Sequence, residues 1–210
     1  MRSAITVLFG LLLLAGCQGA TPFFRTGLML SPEAQALAGD RAAPAVEARY
    51  GGILRDADAE ARLLAIAARL AEPTPALRMP YQIRLLQSTR LNACSLPGGR
   101  IYLTLGLYRQ LGDDAQIAAV LAHEMAHIVG KDHFKSPCGT PHDALVREKN
   151  ADAAALRFLH RAGIEPSSLV TVLHAIRHVQ PPGWSDSRIA EVRRGLSDLS
   201  SDTRLARRGP

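Results

Sequence analysis

The chain has 210 residues, 25 Lys and Arg against 19 Asp and Glu for a formal net charge of +6, and 47% hydrophobic residues. That is enough for one domain with a sizeable core, and neither an internal repeat nor a shift in composition asks for a second. The excess charge is modest and gathers partly at Arg193, Arg194, Arg204, Arg207 and Arg208, where it suits an anionic envelope surface; no nucleic-acid recognition motif accompanies it, so nucleic acid is not an expected partner.

Arg2 precedes an apolar run from Ala4 to Ala15 that is too short to cross a bilayer as a mature helix and has the basic start and small residues of an export signal. It ends in Leu14-Ala15-Gly16-Cys17, which resembles the lipobox of bacterial lipoproteins. The resemblance implies a signal peptide over residues 1–17, a lipidated Cys17 and membrane attachment through acyl chains. Gln18 stands where an aspartate would retain such a protein at the inner membrane, so resemblance to proteobacterial sorting implies the periplasmic face of the outer membrane. Residues 18–30 lack periodicity and read as a tether, residues 31–199 as the folded domain, and the polar, basic stretch 200–210 as a disordered tail.

Within the domain, Ser31-Pro32-Glu33 opens a helix, with serine as cap and proline in the first turn, carried on by residues 34–37. Residues 56–71 form an amphipathic helix through Leu63, Leu64, Ile66, Ala67 and Leu70, ended by Pro73 and Pro75. Gly51-Gly52 before it is a turn, too short a glycine pattern for a phosphate loop. Residues 81–86 and 100–104 read as strands bracketing Asn92 to Gly99. An edge strand beside a metal can hold an extended peptide by main-chain hydrogen bonds, and Gly98-Gly99 permits close backbone approach. Residues 105–111 form a short helix; Gly112-Asp113-Asp114 then breaks and caps before a new helix from Ala115.

That next helix carries the chemistry. Ile117, Val120, Leu121, Ile128 and Val129 surround a polar trio, and Gly130 is placed to end the helix in a left-handed conformation. His123 and His127, four residues apart, share a face and can both aim an imidazole nitrogen at one ion. Glu124 is turned about 100° from His123, the position of a general base and not of a ligand. A zinc site of this kind needs a third protein ligand and an open fourth position. His133 completes the pattern His123-Glu124-x-x-His127-x-x-Gly130-x-x-His133, although such sites also need a methionine turn downstream and the last methionine is Met125. The competing ligand is Glu148 in an alanine-rich helical stretch over residues 147–158, where Asp152, four residues on, can receive the free ring N–H of a zinc histidine.

Three segments, Asn92-Ala93-Cys94-Ser95-Leu96-Pro97-Gly98-Gly99-Arg100-Ile101-Tyr102, the helix of His123, Glu124 and His127, and Glu148-x-x-x-Asp152, resemble in order and spacing the gluzincin peptidase family of the CAAX prenyl protease and the HtpX heat-shock protease, in its small periplasmic lipoprotein form. The likeness covers about residues 80–165. It implies a mainly helical α+β zincin-like domain whose small sheet has an edge strand bordering the site, one zinc ion, Glu148 as the third ligand in preference to His133, and Asn92 near the substrate channel. It further implies a zinc metalloendopeptidase acting on misfolded or misassembled envelope proteins.

With Cys17 lipidated, Cys94 and Cys138 remain in an oxidising compartment, and a disulfide between them is expected. Residues 167–179 read as a helix with Val170, Leu173, Ile176 and Val179 inward; His174 and His178 share a face there, but nothing nearby supplies a base or third ligand. The chain departs from the family at Pro182, where relatives carry the histidine of a histidine-proline pair six residues before an arginine, here Arg188. Arg188 is expected either to contact substrate or the oxyanion or to form a structural ion pair. The altered Pro182 supports a rival reading, a weakly active or inactive zinc-bound lipoprotein that binds envelope proteins as a chaperone does; the intact Glu124 argues for catalysis.

Overall fold

The structure is a computed structural model that describes residues 31–135 and 140–207, with side chains described as far as Ser201. The export signal, Cys17, the tether and Cys138 lie outside the described residues.

Ser31 caps the first helix, α1 (Pro32–Arg49), its hydroxyl accepting from the Ala34 N–H at 3.2 Å. The helix runs past Leu37, where the sequence reading stopped, through Pro44, because the alanine-rich segment that follows supplies the buried Ala43 and Val46. Gly51 and Gly52, at φ +82° and +90°, turn the chain into β1 (Ile53–Leu54). Asp56 then caps α2 (Ala57–Ala71) through the Ala59 N–H at 3.0 Å. After a 3-10 turn at Pro75–Leu77 come β2 (Gln82–Leu86), β3 (Ala93–Leu96) and β4 (Arg100–Thr104).

The sheet order is β1-β2-β4-β3, with β2 and β4 parallel and the two outer pairs antiparallel. The segment bracketed by the two expected strands is thus a strand itself, and β3, not β4, is the edge. Alternation of side chains gives the sheet two working faces. Ile83, Leu85, Ala93, Ile101 and Leu103 enter the main core with Leu63, Ile66 and Leu70 of α2, while Leu86, Cys94, Leu96 and Tyr102 meet Ala43, Val46 and Tyr50 of α1 on the other side. Cys94 is a free thiol buried in this second cluster, where the sequence reading had placed half of a disulfide.

The remaining elements are helical: α3 (Leu105–Gln110), α4 (Asp114–Val129), α5 (Pro141–Arg161), α6 (Ser168–Ala175) and α7 (Trp184–Arg207). The architecture is therefore mainly helical α+β. Asp113 caps α4 through the Gln116 N–H at 2.8 Å. Every residue of α4 from Ile117 to Ile128 is buried, since the helix meets β3, α2, α5 and α6 around its circumference. A reciprocal capping box between Thr140 and Asp143 opens α5. The expected helix over 167–179 stops at Ala175 and tightens into a 3-10 turn at Arg177–Val179.

Two expectations are corrected at helix ends. Gly130 has φ −68°, and the left-handed residue is Lys131 at φ 52°, which leads into a 3-10 turn at Asp132–Phe134. The tail read as disordered from residue 200 is helical as far as Arg207, since neither glycine nor proline stands between Ser200 and Gly209.

Between β3 and β4, Gly98 and Gly99 adopt φ +80° and +88°, and a Cβ at Gly98 would sit 2.5 Å from the Ala36 Cα of α1. Gly163 also has a positive φ, +61°, but open space around it. Gly163→Ala should therefore lower unfolding stability by about 1 kcal/mol, the conformational term alone, and Gly98→Ala by about 3 kcal/mol as the clash with α1 is added. Chemical denaturation of the two variants checks the difference.

Candidate metal centre

One turn of α4 separates His123 from His127, so both rings leave the same face of a helix that has no solvent side. Each ring is anchored by one nitrogen. His123 Nδ1 lies 2.9 Å from Asp152 Oδ1 of α5, and His127 Nδ1 lies 2.7 Å from Asp132 Oδ2 in the turn after α4. The left-handed Lys131 folds the chain back far enough for Asp132 to reach a residue five positions earlier. With Nδ1 fixed on both rings, the two Nε2 atoms converge to 3.1 Å.

Glu148, buried one turn before Asp152 on α5, closes the group: its Oε2 is 3.3 Å from His123 Nε2 and its Oε1 3.5 Å from His127 Nε2. Among the described residues these three form the only group able to hold a metal ion. The separations fit zinc, because ligand bonds of about 2.1 Å at tetrahedral angles place donor atoms about 3.4 Å apart. Two imidazole nitrogens and a carboxylate also form a zinc-type donor set, with a fourth position left for water.

The electrostatics agree. Asp132, Glu148 and Asp152 converge on the two histidines, opposed by the guanidinium of Arg188, which is 1% exposed. Arg188 grips Asp152 with two bonds of 2.7 Å from Nε and Nη2 and reaches Glu148 Oε2 from Nη1 at 3.0 Å. Burial alone would raise the Asp152 and Glu148 carboxyls; Arg188 and the histidines outweigh it and hold both below their usual values. Burial likewise pulls His123 down, yet its contacts with Asp152 and Glu148 outweigh that and push it up to about 10. Asp132, which burial would raise, is held at about 2 by His127 and Lys135.

Glu124 is also buried but lies outside the ligand group; its Oε2 accepts a hydrogen bond of 2.8 Å from Ser95 Oγ on β3. His133, the alternative third ligand, is elsewhere engaged: its Nε2 lies 2.9 Å from the Ser95 carbonyl oxygen, and burial draws its pKa down to about 4. His174 and His178 are exposed. The structure does not bring Asn92 into the site. Residues 92 and 94 face α1, and the Asn92 amide donates to the Tyr50 hydroxyl at 2.8 Å. Arg188 stands behind the ligands, sequestered in ion pairs, so the structural alternative accounts for it. Pro182 is exposed in the turn before α7.

Two contributors escaped the sequence reading. Asp132 lay in a segment read only as a loop, although a carboxylate five residues after a ligating histidine is a usable signal once a helix end lies between them. Ser95 carried no signal until β3 was recognised, since only the strand alternation turns it toward α4.

A helix with His123-Glu124-x-x-His127 joined to a carboxylate ligand on the next helix defines the site of a metal-dependent hydrolase. Residues 54–143 match the family described as Peptidase family M48, an interval that holds His123, Glu124 and His127 and ends before Glu148. Over 60 residues the chain is 32% identical to the beta-barrel assembly-enhancing protease of Yersinia pestis and 30% identical to those of Escherichia coli (strain K12) and Shigella flexneri. The stretch is 29% of this chain and 12% of the length of each relative. Family match and donor set together support a metallopeptidase.

Because Asp152 and Asp132 each hold the ring nitrogen opposite the metal-facing one, Asp152→Ala and Asp132→Ala should each weaken zinc binding by about 10- to 100-fold. His133→Ala should leave zinc stoichiometry and affinity unchanged. Competition against a chromophoric chelator measures all three.

Proposed function

We propose that the chain is a zinc-dependent metalloendopeptidase of the bacterial cell envelope that hydrolyses misfolded or misassembled envelope proteins. The observation that carries this reading is the convergence of His123 Nε2, His127 Nε2 and a Glu148 oxygen within 4.8 Å of one another, with the buried Glu124 beside them.

Zinc held by His123, His127 and Glu148 would supply the Lewis acidity that activates a water and polarises a peptide carbonyl. Glu124 takes the proton of the attacking water and passes it to the leaving nitrogen. Asp152 and Asp132 keep the imidazoles in the tautomer that presents Nε2, and Arg188 keeps Asp152 and Glu148 ionised and in place. An extended substrate lies along the edge of β3 that β4 leaves unpaired. The Thr104 N–H bonds the Asn92 carbonyl, and antiparallel pairing alternates, so the Ala93 main-chain groups and the Ser95 N–H point away from β4, while the outward Ser95 carbonyl is taken by His133. Strand addition there holds peptides with little regard for sequence, as unfolded substrates require. The names of the relatives, which place them in the assembly of β-barrel proteins, support an envelope setting for this chain. Export and lipidation at Cys17 complete the proposal, with the domain tethered at the outer membrane.

The decisive experiment compares a version lacking residues 1–17 with its Glu124→Gln variant for zinc content and cleavage of an unfolded protein. Both should hold one zinc, the variant should cleave at least about 10³-fold more slowly, and chelation should abolish parent activity until zinc is restored. Equal rates for the two would refute the proposal and favour the binding module. In cells, Cys17→Ser in the full chain should move the protein from the membrane to the soluble fraction; retention in the membrane would reject the lipid anchor.

A further inference from the structure

Glu124 can act as a base only if one carboxylate oxygen faces the water while the carboxyl group is kept from turning. Its terminal torsion is broad and two-fold, so the side chain supplies no such restraint. The restraint comes from Ser95. β3 pairs with β4 through Ser95 opposite Ile101, and alternation sends the Ser95 side chain toward α4, where it is 8% exposed and its Oγ lies 2.8 Å from Glu124 Oε2.

The direction of the bonds follows from the chemistry of the atoms. An ionised carboxylate only accepts, so the Ser95 hydroxyl donates to Glu124. The Ser95 carbonyl also only accepts, so His133 Nε2 carries the hydrogen it presents to that oxygen at 2.9 Å, with Ser95 Oγ a further 3.3 Å neighbour. His133 thus holds the serine backbone from the open edge of the strand while β4 holds it from the other.

We propose that Ser95 is a positioning residue for the general base: its hydroxyl pins Glu124 Oε2 and leaves Oε1 to meet the water, and His133 keeps Ser95 in place. The inference rests on the reading of Glu124 as the base. Ser95 touches no ligand atom of the metal group, so its removal acts on the base and not on metal retention.

The test compares the zinc-loaded parent with Ser95→Ala and Ser95→Thr. Ser95→Ala should keep one zinc per chain with unchanged affinity, lower kcat by about 10- to 100-fold and leave KM within about twofold, the cost of a misplaced catalytic group. Ser95→Thr, which retains the hydroxyl, should recover most of kcat. Crystal structures of the zinc-loaded parent and Ser95→Ala should show the Glu124 carboxylate ordered in the first and rotated or spread in the second. Unchanged kcat in Ser95→Ala, a loss of zinc that accounts for its defect, or an unmoved Glu124 in its crystal structure would overturn the inference. Should the parent itself show no zinc-dependent cleavage, the proposed function fails separately, and the position of Glu124 in the two crystal structures still decides the role of Ser95.

Discussion

A helix buried all round from Ile117 to Ile128 carries three polar side chains, and the rest of the domain is arranged to make that tolerable. Each of the three is held from outside α4 by a different element. His123 is bonded by Asp152 of α5, which is gripped by Arg188 of α7. His127 is bonded by Asp132 of the turn after α4, which pairs with Lys135. Glu124 is bonded by Ser95 of β3, which is held by His133. A buried polar group without a partner costs about 1–3 kcal/mol, and a buried charge more, so these contacts are conditions for α4 to lie in the core at all. They also aim the side chains, and folding and function therefore draw on the same bonds.

The charge balance links fold and metal more closely still. Burying an ion pair is at best neutral compared with apolar packing, whereas removing one partner strands the other at a cost of several kcal/mol. Arg188 faces both Asp152 and Glu148, and more carboxylates converge on the histidines than it can neutralise. A divalent cation held by His123, His127 and Glu148 would offset that excess, and the carboxylates that would attract it are the ones that raise the proton affinity of His123.

How much of this could be read in the sequence depended on the range over which each signal acts. The site pairs were legible because four-residue spacing on a helix is a local geometric fact, as with His123 and His127, and Glu148 and Asp152. So was the apolar periodicity of α2 and α4. The third ligand needed the family resemblance, since nothing local chooses between His133 and Glu148; in the structure Glu148 converges with His123 and His127, while His133 bonds Ser95. β3 was illegible because Ala93-Cys94-Ser95-Leu96 has no β-branched or aromatic residue and is buried on both faces, which erases the alternation that marks a half-exposed strand. With β3 unseen, the direction of Asn92 and Ser95 could not be assigned. Arg188 was legible only as an arginine with two readings, substrate contact or structural ion pair, because the partners that favour the second are 36 and 40 residues earlier in the chain.

The two faces of β3 meet two separate clusters of buried residues. Cys94 and Leu96 pack into the cluster of α1, and the turn that follows is pressed against the same helix, with Gly98 against Ala36 and the Pro97 carbonyl where a Cβ at Gly39 would lie. Ser95, between Cys94 and Leu96, faces the opposite way and holds the base. A strand four residues long cannot shift on one face without shifting on the other, because a slip of a single residue exchanges the two sets of side chains. The glycines that let α1 sit so close therefore fix the height and register of β3, and through Ser95 they bear on the orientation of Glu124, although α1 contributes no atom to the metal group. Substitutions in α1 that loosen this clamp would act on Glu124 by that route.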